Sequence, residues 1–552
     1  MRRRLRILLL PLGLLVLSGG LLGTYFETND DLAIVALLRG ETAAAPVTDL
    51  YLYFHGYAAV WSWLYAASPT VPWYGLTLYA LLYAATVLLA AVLWRVLQPR
   101  LGTWSTLALL LLLWFVGWLE HSLWFNYMRV PLLLAGAGGL FAARPTNGPK
   151  ARWALAVGLL AFGLSWLIRP SAAVLGLGAA LPGMWWLAGR RLAPLVAGAA
   201  AWTVLGAVWL YLVWSPQAVA FRRLDVLKSN LNDFQLAAPP PRPLPPADSL
   251  ALDAARAWQL ADSTLINEAS LRRVAPFRAG YFLRHTVPAK LALLAQQLPR
   301  NYFPLLLLLA ATAGLVLRAA GQRQHRAFWL VQLGYGLALL ALGTVLKLPP
   351  RLALPLLNFW ALSNLLYLGQ LRPLPPRTRA VLLLALLATA GPYAYKSWHR
   401  STTLAQEQVR NRATRQRLYT LAAPVAGSAP ALLVTDALEE TYKSENPFAP
   451  APGPAGAPRR LSVKGWPTLH PSQAALRQQL TGTRDFTEAL RRLGPRAEVA
   501  WVFTPEGAAL LNRQLRAKVR PGQPVCQLRR APGQDSTLKN NMHAYYMRAK
   551  FP

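Results

Sequence analysis

Arg2-Arg3-Arg4-Leu5-Arg6, the uncharged run Ile7–Thr24 (ILLLPLGLLVLSGGLLGT) and then Tyr25-Phe26-Glu27-Thr28-Asn29-Asp30-Asp31 form the stretch that decides the fold. A basic flank, an apolar run of bilayer-crossing length and an acidic exit read as a membrane helix with its N-terminus cytoplasmic. A signal peptide has the same basic start, but no small-x-small cleavage site precedes the carboxylates, so the helix is read as a retained anchor. Acidic residues are scarce, 22 Asp+Glu against 57 Lys+Arg, and three of them sit in this one exit turn. Carboxylates so rare and so clustered at a membrane surface point to chemistry or to cation binding.

The pattern repeats along the 552 residues, 55% of which are hydrophobic. The apolar runs are long and Leu/Ala-rich rather than alternating, which selects helices over a barrel. Eleven spans are expected, at roughly 7–24, 73–94, 103–119, 126–143, 153–169, 172–188, 192–214, 302–319, 327–346, 351–370 and 378–394. The net charge of +35 does not call for nucleic acid, because much of it punctuates these runs, where it sets orientation and meets anionic headgroups. Cys526 is the sole cysteine, which excludes an intrachain disulfide and a Cys-based metal site.

With the N-terminus inside, every inner loop is basic: Arg95 and Arg100; Arg144, Lys150 and Arg152; Arg190 and Arg191; Arg318, Arg323 and Arg326; Arg372, Arg377 and Arg379. All 22 acidic residues then fall outside, twelve before residue 395 and ten after it. Tyr51–Ala67 is aromatic and apolar, yet a crossing there would invert every later loop. It reads as a helix lying in the outer interface.

Two outer segments are large. The loop 215–301 carries a stiff proline run, Ala238–Pro246, and a helical pattern at 248–275. Residues 395–552 hold a polar helical stretch at 402–422, a Pro/Ala/Gly-rich linker (446–458), strand-like runs at 431–435, 460–463 and 499–503, and helical patterns at 471–480, 485–493 and 506–518. That alternation predicts a small α/β domain. Its net charge of +14 fits a neighbouring anionic lipid or glycan phosphate, or plain solvated surface.

Folded on this topology, the unusual polar residues converge on one face: Glu27, Asp30 and Asp31; Glu120 and His121 between spans 3 and 4; Arg129 in span 4; Arg169 ending span 5; Lys347 and Arg351 between spans 9 and 10. Ionisable residues at membrane depth are costly and are site candidates by default. A carboxylate that takes a proton or holds a divalent ion, beside arginines that grip a departing phosphate, suits transfer from a phosphate-activated lipid. The plainer alternatives are a solvated loop or helix cap for the Asp pair, a polar turn for Glu120-His121 and headgroup snorkelling for the arginines. Asp225, Lys228, Asn230, Asp233 and His55 read as structural.

Glu27-Thr28-Asn29-Asp30-Asp31-Leu32-Ala33 and Val71-Pro72-Trp73-Tyr74-Gly75-Leu76, together with one span followed by an acidic loop and interfacial helices, resemble the GT-C superfamily of polytopic glycosyltransferases over roughly residues 1–400. The resemblance implies a polyprenyl-phosphate-linked sugar donor. It also implies a catalytic base or metal ligand at Asp30 or Asp31, a second acidic residue at Glu120 and a phosphate-binding arginine at Arg169 or Arg351. Asp31 and Glu120 are the pair expected for Mg2+ or Mn2+, if a metal is used. The expected architecture is an α-helical polytopic membrane protein of about eleven transmembrane helices, GT-C-like over 1–394 (outer loops 25–72 and 215–301), with a small extracytoplasmic α/β domain at 395–552. It would sit in a bacterial inner membrane and pass sugar to a glycan, lipid or protein acceptor. The alternatives are a transporter or flippase, or a polymerase or ligase, of lipid-linked oligosaccharide.

Overall fold

The Leu/Ala-rich runs do form helices, which make up 73% of the chain. The structure is a computed structural model; it describes the chain apart from residues 1, 145–147, 241–242, 319–324, 371–375, 424–430, 451–457, 520, 522–523, 533–541 and 551–552. Arg323 and Arg372 of the expected inner loops, Pro241 and Arg242 of the proline run and most of the linker 446–458 lie outside the described residues.

Among the described residues, six helical stretches are long and apolar enough to cross a membrane: Leu5–Leu22, Trp73–Leu123, Pro149–Ile168, Pro170–Val213, Ala279–Arg318 and Arg326–Val345. Their outward faces carry large apolar side chains, among them Leu205 (69% exposed) and Leu212 (74%), as lipid-facing helices require. This is a membrane protein. Two stretches exceed one crossing. Trp73–Leu123 breaks at Gly102, whose φ of 74° only glycine adopts freely, and returns on itself, so that Trp118 Nε1 donates to Thr86 Oγ1 at 2.9 Å. Pro170–Val213 is interrupted by the 3-10 turn Gly189–Leu192.

The helix Arg129–Ala143 is the buried centre of the bundle, packed on Pro149–Ile168 and Pro170–Ala188. Gly138 and Gly158 allow the contact, since a Cβ on Gly138 would stand 2.5 Å from that of Ala161. Tyr57–Ala67 is a helix of 11 residues, about 16 Å long and too short to cross. It buries Trp61 and leaves Val60 and Trp63 exposed.

In the second loop, Pro216–Asn232 forms a helix ahead of the proline run, and the pattern at 248–275 divides into Pro246–Arg256 and Glu268–Val274. Residue 394 marks no break: a single helix, Pro376–Ala422, runs for 47 residues from the apolar bundle into the C-terminal region.

The C-terminal region builds a five-stranded sheet. Chain order gives β1 (Tyr25–Phe26), β2 (Trp124–Phe125), β3 (Leu432–Thr435), β4 (Arg459–Ser462), β5 (Val499–Phe503), β6 (Val525–Arg530) and β7 (His543–Lys550). The sheet order is β4-β3-β5-β7-β6, with β4, β3 and β5 parallel and β7 and β6 antiparallel additions. Helices Pro471–Thr481, Phe486–Leu493 and Pro505–Ala517 accompany it, close to the predicted α/β alternation.

This sheet domain is clamped to the first loop. β1 pairs with β2 in parallel, while Phe26 N donates to Glu445 O (2.8 Å) and Ser444 N to Phe26 O (3.0 Å). Arg460 pairs with Glu41, and Gln473 Nε2 donates to Thr42 O at 2.5 Å. Residues 25–50 are thus held between the helical bundle and a domain some 400 residues away in sequence.

Candidate functional site

Asp30 and Asp31 open the helix Asp30–Leu38, where first-turn carboxylates face free backbone N–H groups. The two side chains then part. Asp31 is fully buried and receives hydrogen bonds from Tyr74 Oη (2.9 Å), Thr28 Oγ1 (3.4 Å) and Asn126 Nδ2 (3.5 Å). Burial pushes its carboxyl well above the usual range. Asp30 keeps part of its surface open and accepts from Trp466 Nε1 at 3.0 Å. Burial raises it too, opposed by the charges of Arg351 and Lys228.

An aromatic cage carries this pair. Phe54 stands 5.0 Å from Trp61, 5.5 Å from Tyr74 and 5.3 Å from Tyr127, and Tyr53 stands 5.3 Å from Tyr127. Tyr51 and Phe54 both adopt left-handed φ, 59° and 60°, which costs about 1–3 kcal/mol per residue and persists only where neighbours enforce it. Phe54 N and His55 N donate to the carbonyls of Ile168 and Leu167, fastening the strained segment to the end of Pro149–Ile168. Arg169, at that helix end, donates to Tyr127 Oη at 3.0 Å and lies over the Tyr53 ring.

Beside the cage lies a buried ionic chain. Arg129, with no exposed surface, meets Glu27 Oε2 through Nη2 (2.9 Å) and Nε (3.3 Å), and Arg351 Nη1 reaches Glu27 Oε1 at 3.3 Å. Arg129 Nη1 lies 3.2 Å from His121 Nδ1. His121 Nε2 lies 2.9 Å from Asn358 Nδ2, which also donates to Gly117 O. Glu120, next to His121, is turned to a different cluster: Lys396 Nζ (3.0 Å) and Tyr393 Oη (3.1 Å) on Oε1, and Arg400 Nη1 (2.5 Å) on Oε2.

The expected site residues therefore divide. Glu27, His121, Arg129 and Arg351 form one connected network, and the charges of Arg169, Asp30, Asp31 and Arg351 all act on Tyr127. Glu120 shares no hydrogen-bond partner with Asp31, and both its oxygens are occupied by cations of the helix Pro376–Ala422. Lys347 is exposed and makes no polar contact among the described residues. The donors do not fit Mg2+ or Mn2+: Asp31 is saturated by neutral donors, Glu120 by cations, and no group of three His, Cys, Asp or Glu gathers among the described residues.

Several residues of the seam carry no signal in the sequence. Trp466 and Glu439 approach Asp30 from the sheet domain, and Lys228 and Asp233, read as structural, act on Asp30 from the second loop. Tyr393, Lys396 and Arg400 did leave a trace, since spacings of three and four place them on one helix face. Burial pushes Glu439 up to about 8, and Gly465, at φ 97°, has no room for a Cβ against that carboxylate.

Two outcomes follow from this geometry. Arg129→Met leaves Glu27 buried without its closest cation and lowers unfolding stability by about 3–5 kcal/mol, and Glu27→Gln in the same chain restores a measurable part; thermal unfolding of the purified protein in detergent reads both. Glu439 binds its proton more tightly in the folded than in the unfolded chain. Its stabilisation is therefore complete below about 4.5 and is lost as pH climbs through about 8. The melting difference between wild type and Glu439→Gln should shift steadily against wild type over that window. The chain matches no protein-family model, no curated protein and no solved structure.

Proposed function

We propose that the chain is a membrane glycosyltransferase of GT-C type that moves a sugar from a polyprenyl-phosphate donor to an extracytoplasmic acceptor. One observation supports the reading: of the two adjacent aspartates, Asp30 alone is not fully buried, under the charges of Arg351 and Lys228 and backed by a buried, hydrogen-bonded frame. In this reading Asp30 takes the proton from an acceptor hydroxyl as its oxygen attacks the anomeric carbon. The bond from that carbon to the phosphate oxygen breaks with inversion. Arg351 and Arg169 hold the charge that develops on the departing polyprenyl phosphate. Asp31 positions the turn through Tyr74 and Asn126, and Glu120 fixes the helix Pro376–Ala422 beside it.

The donor's tail would meet an apolar surface. A narrow groove of about 70 Å³ runs between helix Arg2–Leu22, the Trp73–Leu123 hairpin and helix Pro350–Leu368, lined by Leu10, Leu14, Leu89, Leu93, Leu110 and Leu362. Asn358, in its wall, donates to the Gly117 carbonyl and lies 2.9 Å from His121 Nε2, whose Nδ1 meets Arg129. An isoprenoid chain in this groove would lead its phosphate toward the ionic network.

The proposed arrangement in the membrane has eleven crossings, counting both arms of Trp73–Leu123 and of Pro170–Val213 and adding Arg129–Ala143, Pro350–Leu368 and the first part of Pro376–Ala422. The N-terminus is cytoplasmic and the sheet domain extracytoplasmic in a bacterial inner membrane, because the basic residues cluster at the loops opposite Asp30. Reporter fusions should read cytoplasmic after Arg95 and extracytoplasmic after Glu120 and after residue 420.

Transfer from a radiolabelled polyprenyl-phosphate sugar in isolated membranes tests the chemistry. Asp30→Asn should lower the rate about 10²–10⁴-fold. The acid limb of the pH–rate profile should lie above the ordinary carboxylate range, because the base works deprotonated and burial raises its pKa. Undiminished transfer by Asp30→Asn removes this mechanism.

A further inference from the structure

The sheet domain contains a second concavity, separate from the Asp30 seam. Strand β3 lies at the centre of the parallel set, with β4 on one side and β5 on the other, so the chain reverses its direction of travel across the sheet between β3 and β5. In open α/β sheets, ligands bind outside the carboxyl ends of the strands at such a switch point. A cleft of about 940 Å³ opens there, lined by Asp436 after β3 and Thr504 after β5. Asp436 is held in place by Thr504 N (2.9 Å) and Thr504 Oγ1 (2.5 Å), and a Cβ on Gly507 would strike its carboxylate. The cleft floor is therefore fixed. Helix Pro246–Arg256 of the second loop and helix Pro376–Ala422 complete the walls.

The lining selects the ligand class. Four carboxylates (Asp253, Asp436, Glu440 and Glu506) face three cations (Arg256, Lys464 and Arg513). Arg513 pairs with Asp253 at 2.8 Å and Lys464 with Glu440, which leaves the guanidinium of Arg256 and the carboxylate of Glu506 without a partner among the described residues. A phosphate is disfavoured. The helix Pro505–Ala517 begins at the cleft with a proline, which has no N–H to offer, followed by Glu506 in the first turn. A near-neutral wall of acceptors and donors suits hydroxyl groups, and the volume of about 940 Å³ lies at the upper end of the range of small-molecule pockets, about 300–1,000 Å³. We propose that this crevice binds a neutral, hydroxyl-rich chain, an oligosaccharide of several units, through Arg256 and Glu506.

The proposal concerns binding alone and does not rest on the transferase reading, because no donor lipid enters the test. The full-length protein in detergent is titrated calorimetrically with maltohexaose, cellohexaose, chitohexaose and mannohexaose, and with inorganic pyrophosphate as the anionic control. At least one hexasaccharide should bind saturably, and pyrophosphate should not. The double variant Arg256→Ala/Glu506→Gln should weaken that binding tenfold or more. Ala509→Trp, which fills the cleft from an exposed position, should abolish it, with an unchanged melting midpoint showing that each variant is folded. Silence from all four sugars, binding of pyrophosphate alone, or sugar binding that survives the double variant overturns the proposal. Should Ala509→Trp fail to fold, the double variant still decides the matter.

Discussion

Arg129 has no exposed surface, and a guanidinium does not release its proton at any pH the protein meets. A buried charge of this kind is tolerated only with a counterion and with its hydrogen bonds filled. Glu27 supplies the counterion from the first loop, and His121 takes a further contact from the hairpin that ends near Leu123. That single requirement fixes where the loop crosses the end of the bundle. With Glu27 tied down, β1 pairs with β2, and Asp30 and Asp31 are delivered three and four residues later to the aromatic cage.

The same logic separates the roles of the acidic residues. Glu120 and Glu27 both neutralise buried or half-buried cations, and their oxygens are occupied. Asp31 is hydrogen-bonded by uncharged donors and helps order the start of its helix. Asp30 differs, since it meets one indole N–H and has cations near it but not upon it.

The sheet domain is part of that seam and not an appendage. Its Glu439 and Trp466 approach Asp30, its backbone at 444–445 extends the pairing of Phe26, and Lys464 and Glu440 line the separate crevice at the strand ends. One short stretch of chain after β4, Lys464 to Trp466, therefore touches both the crevice and Asp30. The continuous helix Pro376–Ala422 joins bundle and sheet mechanically, with Lys396 and Arg400 gripping Glu120 and Arg412 and Arg415 gripping Glu445.

Local physics was legible in the residues themselves. Apolar runs too long to dissolve had to become helices, and alternating short runs between 431 and 518 had to make a small α/β unit, because each follows from hydrophobic length and period; that Tyr51–Ala67 does not cross followed from the charge of the later loops. The gathering of Glu27, His121, Arg129 and Arg351 was also legible, since topology alone brings the ends of neighbouring helices together. What only the tertiary structure decided was which of two adjacent aspartates is fully buried, that Glu120 turns away toward Lys396 and Arg400, and that Trp466, Glu439 and Lys228 complete the seam. Those outcomes depend on the rotation of each helix and on pairings across some 400 residues, where a side chain's direction is set by packing that no local pattern encodes.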